Sequence, residues 1–194
     1  MMKLIIVLAA TIGYVALILA GYQPSRTAPR ATAATVEESK VQPKQVTLAK
    51  DSQSDKYGEV AFNHENHSTK NYSVDGKSVI GCIECHHTDQ PASALKPPLK
   101  TSERNAVLTA ALLATPDAAP VKTCRTCHLQ AGDDSKPLPV VTYPGKTTPT
   151  KLNNEIAYHT NCNICHDAAI KARAELKGKI PGTNDCAQCH KPLQ

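Results

Sequence analysis

Six consecutive residues carry the most specific chemistry in the sequence: Cys82-Ile83-Glu84-Cys85-His86-His87. Cys-x-x-Cys-His is the spacing at which two thiols add to the vinyl groups of a haem and the next residue sits beneath the iron. The spacing recurs at Cys124-Arg125-Thr126-Cys127-His128, Cys162-Asn163-Ile164-Cys165-His166 and Cys186-Ala187-Gln188-Cys189-His190. The chain has 8 cysteines, and the four motifs use them all. One Cys-x-x-Cys pair alone is equally half of a zinc site. Four that exhaust the thiols, each followed at once by histidine, predict four covalently held haem c groups.

The histidine count then constrains the iron. Of 8 histidines, His86, His128, His166 and His190 are proximal ligands by motif. His64, His67, His87 and His159 remain, one for each iron's sixth position. Methionine is not available for that role, because the only two are Met1 and Met2, and a lysine or N-terminal amine is the rarer alternative. Bis-histidine ligation of every haem uses the inventory completely. Adjacent residues lie only about 3.8 Å apart, so His86 and His87 do not reach opposite faces of one haem, and His87 is expected on a second iron. His64 and His67, spaced i, i+3, share one face of a helical turn and suit two neighbouring haems. His159 stands three residues before Cys162 and is expected to serve a haem other than the one attached there. Ligands shared in this way predict a compact haem cluster.

These positions require little regular scaffolding. With no Trp, one Phe and six Tyr in 194 residues, the side chains cannot build a large core, and small domains in that position depend on covalent or metal staples. The expected fold is mostly irregular and α-helical: loops and a few short helices wrapped around haems, with little or no sheet. Val60-Ala61-Phe62 reads as a short strand. Helices are expected over 102–114, which Thr101 or Ser102 would cap, and over 167–177, with Gly178 as a C-cap. A helical turn is expected over 153–158 and a loop over 132–150.

Ahead of this domain, taken as 57–194, residues 1–20 hold one charge, Lys3, and a long apolar run. The run reads as an export signal, with an uncleaved inner-membrane anchor as the alternative. Segment 21–56, rich in Pro, Ala, Thr and Lys, reads as a disordered tether. Covalent haem attachment takes place outside the cytoplasm, so a periplasmic or otherwise exported protein is expected. The formal charge of +5 does not argue for nucleic acid. Each oxidised bis-histidine haem with two ionised propionates adds about −1, which offsets most of the excess.

Phe62-Asn63-His64-Glu65-Asn66-His67, followed by Cys-x-x-Cys-His-His and three further haem motifs, resembles the class III tetrahaem cytochromes c. The resemblance runs from about Tyr57 to the C-terminus. It implies a low-potential periplasmic electron carrier of anaerobic respiration, not an enzyme, although such haems also reduce metal ions adventitiously. It further implies the pairs His64 with His86, His87 with His128, His67 with His166 and His159 with His190. The implied partners are hydrogenase- or dehydrogenase-type donors and membrane redox complexes. In the family such donors dock on lysines near the fourth haem, where this chain has Lys171, Arg173, Lys177, Lys179 and Lys191; a merely solvated basic face is the alternative. The chain departs from the family's smallest members in the 36 residues between its first two motifs, in having only two-residue cysteine spacers, and in the short gap from His159 to Cys162. Two other readings compete. A multihaem reductase needs one open iron, which the balanced histidine count opposes. A subunit of a haem-wired filament or membrane complex would keep the same chemistry.

Overall fold

A computed structural model describes residues 40–50, 56–96 and 99–192. The leader and most of the tether expected over 1–56 therefore lie outside the described residues. Among the described residues no helix is long and apolar enough to cross a membrane.

The element that ties the two ends of the domain together is strand β2, Tyr57–Phe62. Its Tyr57, Val60 and Phe62 are residues that favour a pleated, half-buried surface. It pairs antiparallel on one side with β1, Val46–Leu48, in the register Val46 to Phe62 and Leu48 to Val60. That strand falls inside the segment whose composition predicts a tether. Its Val-Thr-Leu triplet is short, and its stability comes from pairing, which composition does not reveal. The backbone N–H of Glu65 donates to Lys44 O at 3.0 Å and extends the join.

Phe62 leads through Asn63 into helix α1, His64–Thr69, where Asn63 Oδ1 accepts the N–H of Asn66 at 2.8 Å. An Asn at this position satisfies one of the four unpaired N–H groups that begin any helix. Helix α2 is only Ala110–Leu113, capped by Thr109, whose Oγ1 accepts the N–H of Leu112 at 3.0 Å. The helix expected over 102–114 is thus confined to its last turn. Its earlier residues are drawn elsewhere: the N–H of Leu108 goes to the side chain of Gln90 at 3.0 Å, and Thr109 is extended.

Val140–Val141 (β3) and Thr150–Lys151 (β4) form a small antiparallel ladder within the expected loop. It delivers the chain to Asn153, whose Oδ1 accepts the N–H of Ile156 at 2.9 Å and starts helix α3, Asn154–Ala172. The turn expected over 153–158 and the first part of the helix expected over 167–177 belong to this single 19-residue element, while Ala174–Leu176 form a separate 3₁₀ turn. It stops at Arg173, which leaves helical geometry and sends its guanidinium to Val74 O at 3.0 Å and Ser73 O at 3.2 Å. Gly76 lies beneath that guanidinium with a φ of +72°, and a Cβ there would stand 2.5 Å from Arg173 Nη1. Helix α4, Cys186–Cys189, runs directly into β5, His190–Pro192. β5 pairs with β2 and completes a three-stranded sheet in the order β1-β2-β5. Pro192, which lacks an N–H, sits on an edge strand as it must.

The interior is thin. Among the described residues the buried apolar side chains are Leu108, Ala118 and Ala169, and the buried polar ones are Asp89, Gln90 and His128. Two of those three apolar residues, and both Asp89 and Gln90, belong to the long connection 88–123.

Candidate metal-ligand pairs

Each Cys-x-x-Cys-His motif folds as a turn of helix. Cys82–Glu84 and Cys124–Thr126 are 3₁₀ turns, in which the N–H of His86 reaches Cys82 O at 2.8 Å and that of His128 reaches Cys124 O at 2.9 Å. The third motif lies inside α3, and the fourth spans α4 and its junction with β5. Positions i, i+3 and i+4 of a helical turn share a face. Both thiols and the histidine of each motif therefore tend toward one side. None of the eight cysteines is in a disulfide.

The eight histidines meet in four pairs. Ring centres are 6.3 Å apart for His64 and His86, 6.2 Å for His87 and His128, 6.4 Å for His67 and His166, and 6.1 Å for His159 and His190. These are the same pairs that the sequence resemblance implies. The common separation has a physical meaning. A metal–imidazole bond is about 2 Å and the ring centre lies roughly 1 Å beyond the nitrogen, so two imidazoles across one metal ion have centres about 6 Å apart. Rings in van der Waals contact also sit 4.5–7 Å apart, so one such distance means little. Four nearly equal ones, each joining a motif histidine to one from elsewhere, form a pattern.

Hydrogen bonds tie down one ring nitrogen in four of the eight histidines. Nδ1 lies 2.8 Å from Asn63 O in His67, 2.9 Å from Leu152 O in His128, 2.8 Å from Pro181 O in His166 and 2.8 Å from Gly58 O in His190. A carbonyl only accepts, so in these four rings Nδ1 carries a proton and Nε2 is the nitrogen left to meet a metal. A metal-binding histidine is ordinarily held this way. His87 differs, with Nδ1 3.3 Å from Thr101 Oγ1. Nδ1 of His64 is buried and makes no hydrogen bond of good geometry, although the Pro43 carbonyl is near enough to oppose the effect of burial. Aromatic neighbours pack the rings: Phe62 against His64 and His67, Tyr72 against His67 and Tyr57 against His190.

Burial sets the electrostatics. It drives the His86 pKa down to about 4, with neighbouring His64, His87 and Arg104 adding to the effect. Burial likewise lowers His64, His87 and His166. All four are neutral at pH 7, the form that binds metal. Burial raises the Cys85 thiol to about 12, reinforced by Cys162 and Cys165, and the Cys162 thiol to about 11, reinforced by Cys189 and Cys124. The thiols of all four motifs are thus close enough to influence one another. Tyr158 packs beside Cys124, and burial raises its phenol.

The donor set fits haem better than zinc. A tetrahedral zinc needs four converging protein donors, and among the described residues no group of three or more His, Cys, Asp or Glu converges on a point. Opposed imidazole pairs suit an iron whose other four ligands come from a porphyrin. The sparse apolar interior, with four motifs around it, fits a large apolar group supplied from outside the polypeptide.

Several supporting residues carried no sequence signal. Gln90 bonds the His86 carbonyl, Arg104 lies close enough to Asp89 and His86 to act on both, and Asn161 bonds the Cys85 thiol. The carbonyls of Asn63, Leu152, Pro181 and Gly58 are backbone groups, invisible to any motif. Of the five basic residues that the resemblance points to for docking, Arg173 is bound to the 73–74 carbonyls and Lys191 is paired with Glu59. Lys171, Lys177 and Lys179 are exposed. Comparison with protein-family models, curated proteins and solved structures gave no match to this chain.

Proposed function

We propose that this chain is an electron-transfer protein that carries four haem c groups, each between two histidines, as in the class III tetrahaem cytochromes it resembles. The observation behind this reading is the set of four imidazole pairs at metal-bridging separation, each beside its own Cys-x-x-Cys. When bound, haem with two imidazole ligands and no methionine supplies reversible one-electron chemistry at negative potential.

The chain's own residues hold and tune that chemistry. Cys82 and Cys85, Cys124 and Cys127, Cys162 and Cys165, and Cys186 and Cys189 are the thioether positions. The backbone carbonyls that accept Nδ1–H orient His67, His128, His166 and His190 and raise the basicity of the opposite nitrogen. Burial keeps His86 and its neighbours unprotonated. Ligand placement also orders the four sites: His86 and His87 join the first to the second, His64 and His67 the first to the third, and His159 and His166 the third to the fourth. Electrons therefore have a continuous route through the domain. The protein works outside the cytoplasm, between hydrogenase- or dehydrogenase-type donors and membrane or extracellular acceptors, with Lys171, Lys177 and Lys179 as a docking face. It shuttles free or tethered by its N-terminal segment, as part of a larger redox assembly in the latter case.

The test is low-temperature EPR of the fully oxidised holoprotein, with haem counted from the mass of the denatured chain. Four haems, all low-spin, are expected. About one high-spin iron per chain would favour the rival reading, a multihaem reductase with an open site. His159, whose side chain is exposed, would be the first ligand to suspect. Fewer than four haems would remove the carrier reading as stated.

A further inference from the structure

The connection 88–123 is where this chain departs most from the small family members, and it contains the most buried polar residues of the described fold. Gln90 is fully buried at 0% exposure and Asp89 is 2% exposed. The Gln90 amide bridges two strands of backbone: Nε2 donates to His86 O at 2.9 Å, and Oε1 accepts the N–H of Leu108 at 3.0 Å. Buried Asp89 faces Arg104 Nε at 3.7 Å, and Arg104 Nη2 donates to Ala119 O at 2.6 Å. Lys96 reaches back to Glu84, inside the first motif, at 2.8 Å. Thr101 places its hydroxyl 3.3 Å from His87 Nδ1. Two of these contacts meet on one dipeptide, the adjacent proposed ligands of two different sites: Gln90 at the His86 carbonyl and Thr101 at the His87 ring. The others tie the connection to itself and to Glu84.

We infer that the connection 88–123 clamps the His86–His87 dipeptide, with Gln90 positioning its backbone and Thr101 positioning and tuning the His87 ring. This rests on the proposed ligation of iron by these histidines. Two neighbouring residues that face different metals tolerate little rotation about their shared backbone, and a buried amide bonded at both ends resists it. With Nε2 of His87 as the proposed ligand atom, Nδ1–H would donate to Thr101 Oγ1. A hydroxyl at 3.3 Å is a weaker acceptor than the carbonyls at 2.8–2.9 Å that hold His67, His128, His166 and His190. The site shared by His87 and His128 thus gives one outer hydrogen bond to a side-chain hydroxyl and the other to the Leu152 carbonyl, and such bonds are a recognised control on haem potential.

The test uses Thr101→Val, which keeps shape and loses the hydroxyl, with Thr101→Ser as the conservative control, both as full-length holoprotein. Haem count, EPR and potentiometric titration are read together. One of the four midpoint potentials should move upward in Thr101→Val, one low-spin EPR species should shift, and Thr101→Ser should restore both. Loss of one haem with three retained supports the same conclusion. Four unmoved potentials, or a common disturbance of all four, would overturn it. Gln90→Met, which removes both amide hydrogen bonds, should disturb two species, those of His86 and His87. A wild-type protein with fewer than four haems would instead sink the ligation reading itself, so the two failures are distinguishable.

Discussion

At the scale of single residues, chemistry restricted the histidine inventory, with four motifs, four spare imidazoles and no competing methionine or thiol, whereas which ring faces which was implied only by the family resemblance. What holds those rings was not legible, because the acceptors are backbone carbonyls brought from far along the chain, such as Gly58 for His190. The lowered His86 pKa has a consequence that can be measured. An unfolded histidine takes up its proton near pH 6.5, whereas His86 in the fold does so only near 4 because it is buried. Between those values the unfolded state binds more protons, so acid favours it. The contribution is fully present above about pH 6.5 and is lost as the pH falls toward 4. Metal ligation acts in the same direction, since a coordinated imidazole must be unprotonated. Melting temperature should therefore fall steadily from pH 7 to pH 4.5. A flat profile would mean that His86 and its buried neighbours are solvated.

At the scale of elements, α3 matters most. It carries His159 and His166 seven residues apart, which puts them about 10.5 Å apart along the axis and nearly on one face. Two sites thus take their spacing from one rigid rod. Thr160→Pro would remove a helical N–H and force a clash, at roughly 3 kcal/mol or more, and should disturb the EPR signals of both of these sites together. Disturbance of one alone would show that the rod does not set the spacing. The sequence divided α3 in two because its middle, Thr160-Asn161-Cys162-Asn163, is made of weak helix formers. The helix continues because its turns carry the third motif and pack against Cys85 and Cys124. Its end was misplaced for a similar reason: Arg173 leaves the helix to bind carbonyls about a hundred residues earlier in the chain. The helix expected over 102–114 shrank to Ala110–Leu113 because Gln90 takes the N–H of Leu108. Tertiary partners overrode local preference in each case.

At the scale of the whole molecule, the sparse aromatic content correctly foretold a thin interior, and Leu108, Ala118 and Ala169 are the buried apolar residues among those described. Of the two small sheets the sequence indicated only Val60-Ala61-Phe62, the end of β2; the other strands, of two or three residues, depend on pairing with other segments that no local pattern shows. Burial of apolar area is the main favourable term in folding, and this polypeptide buries little of its own. The haem-loaded protein should unfold cooperatively. The same chain with its eight cysteines changed to alanine should lose that transition and much of its helical circular dichroism. A sharp melt of the alanine chain would mean that the polypeptide has a sufficient core without the cofactor.

The thin interior also bears on how the protein reaches maturity. If the proposed haems are its cofactors, the chain before they are joined has little of its own to close around and would be open to proteolysis. Haem supply, more than the rate of translation, would then limit how much of the protein accumulates, and accumulation should track haem availability.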